Sequence, residues 1–563
     1  MAAYYTIGLD FGTSSVRALV VNVGNGKEIG SFVWEYSHGK AGVVIDPVKP
    51  DLARQHPADY LKGIEVSVTQ AIEQASSDPE FSRKNVIGIG VDTTGSTPMP
   101  VDASGQALAL TPGFEDDPNA MAWLWKDHTG HAEAAQITEL AAKHRPQYLS
   151  KCGGRYSSEW FWSKIAHCAK VSPKVFNAAH TWVEIADWIP AVLTGSIHPA
   201  KLKRGVCAAG HKAMYNASWG GYPDADFLKL IHPDLARIRP TLCDRCATIA
   251  ESAGGLSAEW ATRLGLPANI PVAVGAFDAH LGAVGAGIAE GTLVKIMGTS
   301  TCDIMVSPLA NKLADVPGLC GIVNESVLPG YFGLEAGQSA VGDIFNWFVQ
   351  KVRPGGDEEG THEKLTAGAA ALQPGESGLL SLDWHNGNRT VLVDQRLTGM
   401  LVGMTLHTTP AEIYRALIEA TAFGSRIIME RLEEYNVPVK RVINCGGIAA
   451  RNPLAMQIYA DIMNRPLMIS RSTQTCALGS AIAGAVVAGK KNGGYDDFDS
   501  AVKAMTGVQE TVYHPIAANV NVYERLFKLY RQLHDAFGVA GHKADISNVM
   551  KELLEVRDSV RGQ

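Results

Sequence analysis

Runs of apolar and β-branched residues open the chain. Residues 4–10 (YYTIGLD) suit a buried strand, and residues 15–23 (SVRALVVNV) read as a second. Gly12, Thr13 and Ser14 lie between them, so the pattern predicts a hairpin whose tip carries Asp10, Gly12, Thr13 and Ser14. The same order of strand, Gly-Thr-Ser turn and strand returns at residues 291–306 (GTLVKIMGTSTCDIMV), which suggests two similar halves. Further strands are predicted at 86–92, 271–277 and 441–445. Helical spacing is clearest later. Ile413, Leu417, Ala420, Gly424, Ile427 and Leu432 share one stripe, as do Val522, Leu526, Leu529, Leu533 and Phe537. Asn452 and Pro453 are an N-cap and first-turn pair opening LAMQIYADIM. Strands mixed with long helices predict an α/β fold. The small-residue segment 283–289 (AVGAGIA) is expected to be a joint between halves, and 353–361 (RPGGDEEGT) an exposed loop.

Composition narrows the classes. The chain has 563 residues, 46% hydrophobic and 19% charged, which is enough apolar material for large cores in two to four domains. Fifty Lys and Arg against 57 Asp and Glu leave a net charge of −7, and no basic block occurs, which argues against nucleic acid or an anionic membrane as partner. The longest apolar run, 477–488 (ALGSAIAGAVVA), is shorter than the roughly 18 residues of a membrane span. The segment before Asp10 has no basic region, so a cytoplasmic protein is expected rather than a secreted one. Nine irregularly spaced cysteines fit free thiols in a reducing compartment. Cys243 and Cys246 form a lone CxxC without the second pair that structural zinc needs, so they are expected to be ordinary thiols.

Neither GxxxxGK[ST] nor GxGxxG after a strand is present, so a nucleotide would have to be held another way. The tight turn at Gly12-Thr13-Ser14 would expose N–H groups and hydroxyls to phosphate, with Asp10 beside them able to hold Mg²⁺. Gly298-Thr299-Ser300 could clamp the same phosphates from the other side. Either turn alone is equally an ordinary solvated hairpin; the pair shifts the balance to phosphate binding. Asn444-Cys445-Gly446-Gly447 suits approach of a flat ring or ribose, or packing alone. Asp278, closing the strand PVAVGAF, could take a proton from a bound hydroxyl or simply cap a helix. His280 reads as a core or positioning histidine. Trp125-Lys126-Asp127-His128, Gly210-His211-Lys212 and Glu335 offer rings and charges for a polyhydroxylated ligand, or surface charge and local ion pairs. The segment 156–162 (YSSEWFW) reads as core packing.

Taken in order, these motifs resemble the FGGY family of carbohydrate kinases, within the actin, hexokinase and Hsp70 superfamily. GLDFGTSSVRAL and IMGTST resemble its two phosphate loops, INCGGIAARNP its adenosine loop, and GMLVGMTLHTTPAEIYRALIEA its C-terminal signature. GVDTTGSTPMP, LWKDHT, GGRYSSEWFW, AGHKAMY, GAFDAHLGAVGAG and EAGQSAVGDIFNWF are similar to the branch acting on L-ribulose in L-arabinose catabolism. The resemblance runs from about residue 7 to 466. It implies two actin-like (ribonuclease H-like) domains, 1–285 and 286–563, around a central cleft for ATP and sugar. It implies Asp278 as catalytic base, Asp10 and Asp278 at Mg²⁺, and Ser96, Trp125, Asp127, Lys212 and Glu335 at the sugar. Gly12, Thr13, Ser14, Arg17, Gly298, Thr299, Ser300, Gly342, Asn346, Gly446, Gly447 and Asn452 would bind ATP. Ile448 and Arg451 depart from the usual adenosine loop. The implied activity is phosphorylation of L-ribulose, with xylulose, gluconate or glycerol as sister substrates and a chaperone-type ATPase as the remote alternative. Domain closure about residues 282–287 would exclude water. The two C-terminal amphipathic stripes leave open whether they pack within one chain or build a homodimer.

Overall fold

The computed structural model describes residues 3–356 and 360–562. Residues 357–359 of the expected loop lie outside the described residues. The opening hairpin forms as read: strand Tyr5–Phe11 pairs antiparallel with Ser15–Asn22, which pairs with Glu28–Glu35. The Gly12 N–H donates to the Ser15 carbonyl at 2.9 Å and closes the tip. On its other edge Tyr5–Phe11 pairs in parallel with Val86–Thr93, in a register that sets Asp10 opposite Asp92. The run 271–277 is not one strand but two, Pro271–Ala273 and Ala276–Phe277. The break falls where the chain presses on helix Ile185–Thr194; a Cβ on Gly275 would lie 2.0 Å from the Ala186 carbonyl oxygen. Ala276 and Phe277 pair in parallel with Asp92 and Thr93.

The second sheet repeats this plan. Thr292–Met297 forms a hairpin with Thr301–Pro308, followed in the sheet by Tyr331–Ala336 and Gly321–Asn324. Arg441–Cys445 joins the other edge of Thr292–Met297 in parallel, and Leu467–Ser470 joins it in turn. In both halves an antiparallel meander thus acquires parallel neighbours along its first strand. The C-terminal ends of parallel strands are where open α/β sheets bind ligands.

The apolar run 477–488 is the element that joins the halves. Helix Thr475–Ala488 is buried around most of its circumference, as a helix without a polar face must be. One side lies on the first sheet, where a Cβ on Gly8 would meet the Ala477 carbonyl oxygen at 1.8 Å and one on Gly90 the Ser480 oxygen at 1.8 Å. The other lies against helix Asp278–Gly285, where a Cβ on Gly479 would sit 1.8 Å from the Leu281 oxygen. The expected joint at 283–289 begins as a packed helix end. Its residues 283–286 are buried in close contact, while Ala289 is exposed.

Helix Pro410–Glu434 starts at a capping box formed by Thr409 and Glu412. Helix Pro453–Met463 starts at Asn452, whose side-chain oxygen accepts from the Ala455 N–H. Helix Ala517–Gly538 buries Tyr523, Leu526, Phe527, Tyr530 and Leu533 in the core of the second half, and Val549–Arg561 adds Val549, Leu553 and Val556. Most apolar residues of these helices are covered within the chain, while Phe537, the last of the expected stripe, is 53% exposed. Among the described residues no helix is long and apolar enough to cross a membrane.

Candidate active site

Strand register gathers three carboxylates at one end of the first sheet. Asp10 and Asp92 are level on neighbouring parallel strands, and Asp278 follows Phe277, which pairs one step further along. Burial raises the pKa of Asp10, with Arg17 at 3.4 Å acting against the rise. Asp92 is raised well above the usual carboxylate range, first by burial and then by the Asp10 charge. Its Oδ2 accepts from the Ser480 hydroxyl at 2.6 Å, while its buried Oδ1 has no protein partner. Asp10, Asp92 and Cys476 bring ligand atoms within 4.8 Å of one another. Two repelling carboxylates with an orphaned oxygen fit a divalent cation, and the oxygens rather than the sulfur suit Mg²⁺. Asp92 thus joins Asp10 as a candidate ligand; Asp278 is not one of these three grouped donors but feels the Asp10 charge. Asp278 is pushed up to about 7 by burial and next by the Asp10 charge, and it accepts the Ala279 N–H at 2.6 Å.

Asp278 lines a cavity of about 750 Å³. Gly298, Thr299 and Ser300 bound the same space, with Lys212 and Glu335 also in its wall. Lys212 Nζ donates to both Glu335 oxygens at 2.9 and 3.0 Å. Burial opposes this pair, yet Lys212 is raised and Glu335 lies well below its ordinary value because each charge holds the other. His211 and His280 stand beside Glu335 with pKa values lowered by burial, His280 to about 4, so both are neutral at pH 7. In the segment 156–162, read as core packing, Tyr156, Trp160, Phe161 and Trp162 all enter the core, and Tyr156 and Trp160, with Glu159, also line the cavity. The Tyr156 hydroxyl donates to the Lys212 carbonyl at 2.6 Å, and Lys212 Nζ lies 5.3 Å above the Trp160 ring.

The nucleotide-side residues converge on the end of strand Thr292–Met297. The Gly298 N–H closes its turn on Ser300 at 2.9 Å, and the Gly342 N–H donates to the Gly298 carbonyl at 3.1 Å. Gly446, at φ +96°, passes so close that a Cβ would lie 2.3 Å from the Met297 oxygen. Gly447 follows it, and Asn346 is exposed on helix Gly342–Trp347. In the first turn Gln55 donates to the Gly12 and Thr13 carbonyls at 3.2 and 2.8 Å. Trp125 lines the cavity and donates to Thr13 Oγ1 at 3.0 Å, so it braces that turn.

Three expected contacts are otherwise engaged. Ser96 is fully buried and donates its hydroxyl to Glu184, while its carbonyl accepts from Lys164 at 2.8 Å. Asp127 is buried against Arg54 and accepts the Ala53 N–H at 2.8 Å; it holds the scaffold, not the cavity. The Asn452 oxygen caps a helix. Sequence reasoning missed Asp92, although GIGVD repeats the apolar-strand-then-Asp pattern of TIGLD. It also missed Cys476, Ser480 and the cavity-lining Arg389, for which no local signal exists. The CxxC thiols lie 3.6 Å apart, with Cys243 held near 7, mainly by its hydrogen bond with Cys246.

Comparison with known proteins gives a consistent result. The profile of the N-terminal domain of the FGGY family of carbohydrate kinases matches residues 5–285, and that of the C-terminal domain matches residues 293–488. A ribulokinase of Bacillus licheniformis is 43% identical over 561 residues, covering 97% of this chain and 98% of that one. A ribulokinase of Vibrio parahaemolyticus is 42% identical over 549 residues, covering 94% and 95%. Among solved structures, a xylulose kinase from Rhodospirillum rubrum superposes with a TM-score of 0.77 at 24% identity, covering 94% and 98%. The glycerol kinase of Plasmodium falciparum with ADP gives 0.75 at 15% identity, covering 94% and 98%; both likenesses concern the fold.

Proposed function

The chain belongs to the FGGY family of carbohydrate kinases, and from that premise we propose that it transfers the γ-phosphoryl group of ATP to the 5-hydroxyl of L-ribulose, giving L-ribulose 5-phosphate. Near-complete coverage by relatives named ribulokinase supports the choice of sugar. One observation carries the reading. A single cavity presents Asp278 with the Gly298-Thr299-Ser300 turn and with the Lys212–Glu335 pair, so an alcohol held by the pair can face a carboxylate next to a phosphate turn.

Phosphoryl transfer asks little covalent work of protein groups, so positioning and charge supply most of the acceleration. Glu335, ionised, accepts from sugar hydroxyls, and Lys212 donates to them. Asp278 orients the attacking hydroxyl and receives its proton. Its raised pKa makes it a better acceptor than an ordinary carboxylate and leaves it partly ionised at neutral pH. Asp10 and Asp92 would hold Mg²⁺, which would supply positive charge to offset that on the phosphate oxygens. The Gly12–Ser14 and Gly298–Ser300 turns offer N–H and hydroxyl donors to the phosphates. Gly342 and Gly446 let their segments pack closely on the Met297–Gly298 backbone, and with Gly447 they bring bare backbone to the nucleoside side. The L-arabinose route is the metabolic context this substrate implies.

A coupled ADP-release assay over L-ribulose, D-ribulose, D-xylulose, gluconate and glycerol tests the reading. L-Ribulose should give the highest kcat/KM. A clear preference for gluconate, glycerol or D-xylulose would transfer the chain to a sister activity, and ATP turnover indifferent to every sugar would reject kinase function.

A further inference from the structure

His211, His280 and Glu335 have no complete account as a sugar subsite. All three are buried, and their ligand atoms lie within 4.8 Å of one another. His211 Nε2 lies 2.9 Å from Ser326 Oγ, whose hydroxyl also reaches the Val323 carbonyl at 3.2 Å. Its buried Nδ1 lies 3.2 Å from Glu335 Oε2 and makes no hydrogen bond within the protein. His280 Nε2 is 3.8 Å from the same oxygen, and neither of its ring nitrogens has a protein partner. The arrangement is built rather than accidental. A Cβ on Gly321 would fall 2.1 Å from His211 Nδ1, so this backbone leaves the imidazole its place.

Two neutral imidazoles and a carboxylate are the donor set of Zn²⁺-type ions, whereas Mg²⁺ prefers oxygen alone. Bonds of about 2.0–2.1 Å in a tetrahedron separate neighbouring ligands by about 3.4 Å. The observed 3.2 and 3.8 Å bracket that spacing. Ser326 supplies the outer hydrogen bond that usually fixes a ligating histidine. Opposing the ion is the Lys212 ammonium on the same carboxylate. Metal and charged Lys212 thus compete for Glu335, and the ion would occupy the end of the cavity assigned above to the sugar. We propose that His211, His280 and Glu335 form a binding site for a borderline transition-metal dication of the Zn²⁺ class, whose occupation excludes the sugar. The metal site stands on its own geometry; only the exclusion of sugar rests on the proposed function.

Co²⁺ titrated into the full chain, with excess Mg²⁺ to hold the Asp10–Asp92 position, tests it by visible spectroscopy. One equivalent should bind with tetrahedral d–d bands and without thiolate charge transfer, which separates this site from Cys476 and the CxxC. His280→Ala and His211→Ala should weaken binding by at least about tenfold; His280→Leu, which keeps the space filled, should do the same. Lys212→Met, which removes the competing charge, should tighten it by about tenfold. A merely structural role for these residues predicts loosening there instead. In turnover assays Zn²⁺ should raise KM for the sugar and leave KM for ATP unchanged. Absent d–d bands, bands indifferent to the histidine variants, or weaker binding in Lys212→Met would overturn the metal site. Zn²⁺ inhibition competitive with ATP would overturn the exclusion of sugar. If no sugar is phosphorylated, the functional reading fails while the cobalt spectrum still decides the site.

Discussion

Asp278→Asn should make the protein more stable and nearly inactive, with a pH dependence that ties both effects to one carboxyl. Burial, then the Asp10 charge, lift this group from 3.8 to about 7. That is about three pKa units at about 1.36 kcal/mol each, a ceiling near 4 kcal/mol for the cost of ionising it in the folded state. Contact with the open cavity and relaxation of the neighbouring carboxylates reduce this, and we expect about 1–2 kcal/mol at pH 8. A carboxyl whose folded pKa exceeds its unfolded value contributes stability that is fully present below about pH 3.8 and lost as pH rises through about 7. The advantage of the Asn variant should therefore grow between about pH 4 and 7 and then level off. Melting measured at pH 4.5 and 8.0 should show a small gain at the lower pH and a rise of a few degrees at the higher. Turnover should fall by about 10²–10⁴, as for loss of a general base, and parental kcat/KM should climb with pH through about 7. An Asn variant that melts below the parent at pH 8, or keeps turnover within a few-fold of it, would refute the reasoning.

Other outcomes follow from single contacts. Asp127→Ala leaves Arg54, itself 1% exposed, without its buried partner, so chemical denaturation should show a loss of about 3–5 kcal/mol; the surviving folded fraction should keep its KM for sugar. Ser480→Ala removes the hydroxyl on Asp92 Oδ2, and the Mg²⁺ concentration for half-maximal activity should rise by about 10–100-fold with kcat nearly unchanged at saturating Mg²⁺. Gly90→Ala sets a methyl 1.8 Å from the Ser480 carbonyl, so the helix Thr475–Ala488 must lift from the sheet, and thermal unfolding should drop by more than the about 1 kcal/mol typical of point substitutions.

Much of the molecule was legible along the chain because those signals are local. The apolar, β-branched run in residues 4–10, the Gly-Thr-Ser tips, the stripe from Ile413 to Leu432 and the Asn452-Pro453 cap all act through neighbours a few residues apart, and each element formed. Sequence order also marked Asp278, Lys212 and Glu335, although it could not say whether they met. That depended on strand register and on helix packing, which are settled between segments far apart in the chain. Parallel pairing of Tyr5–Phe11 with Val86–Thr93 put Asp92 beside Asp10, a placement no local pattern announced. Ser96 and Asp127 looked like ligand contacts because a side chain carries no mark of its partner; burial gave each an internal one, Glu184 and Arg54. The run 477–488 looked merely apolar, and only the assembled halves made it the helix between them. Local patterning determined which elements exist, whereas burial decided which polar groups remain free for chemistry, since a group taken out of water must find a partner inside or keep one place open for a ligand.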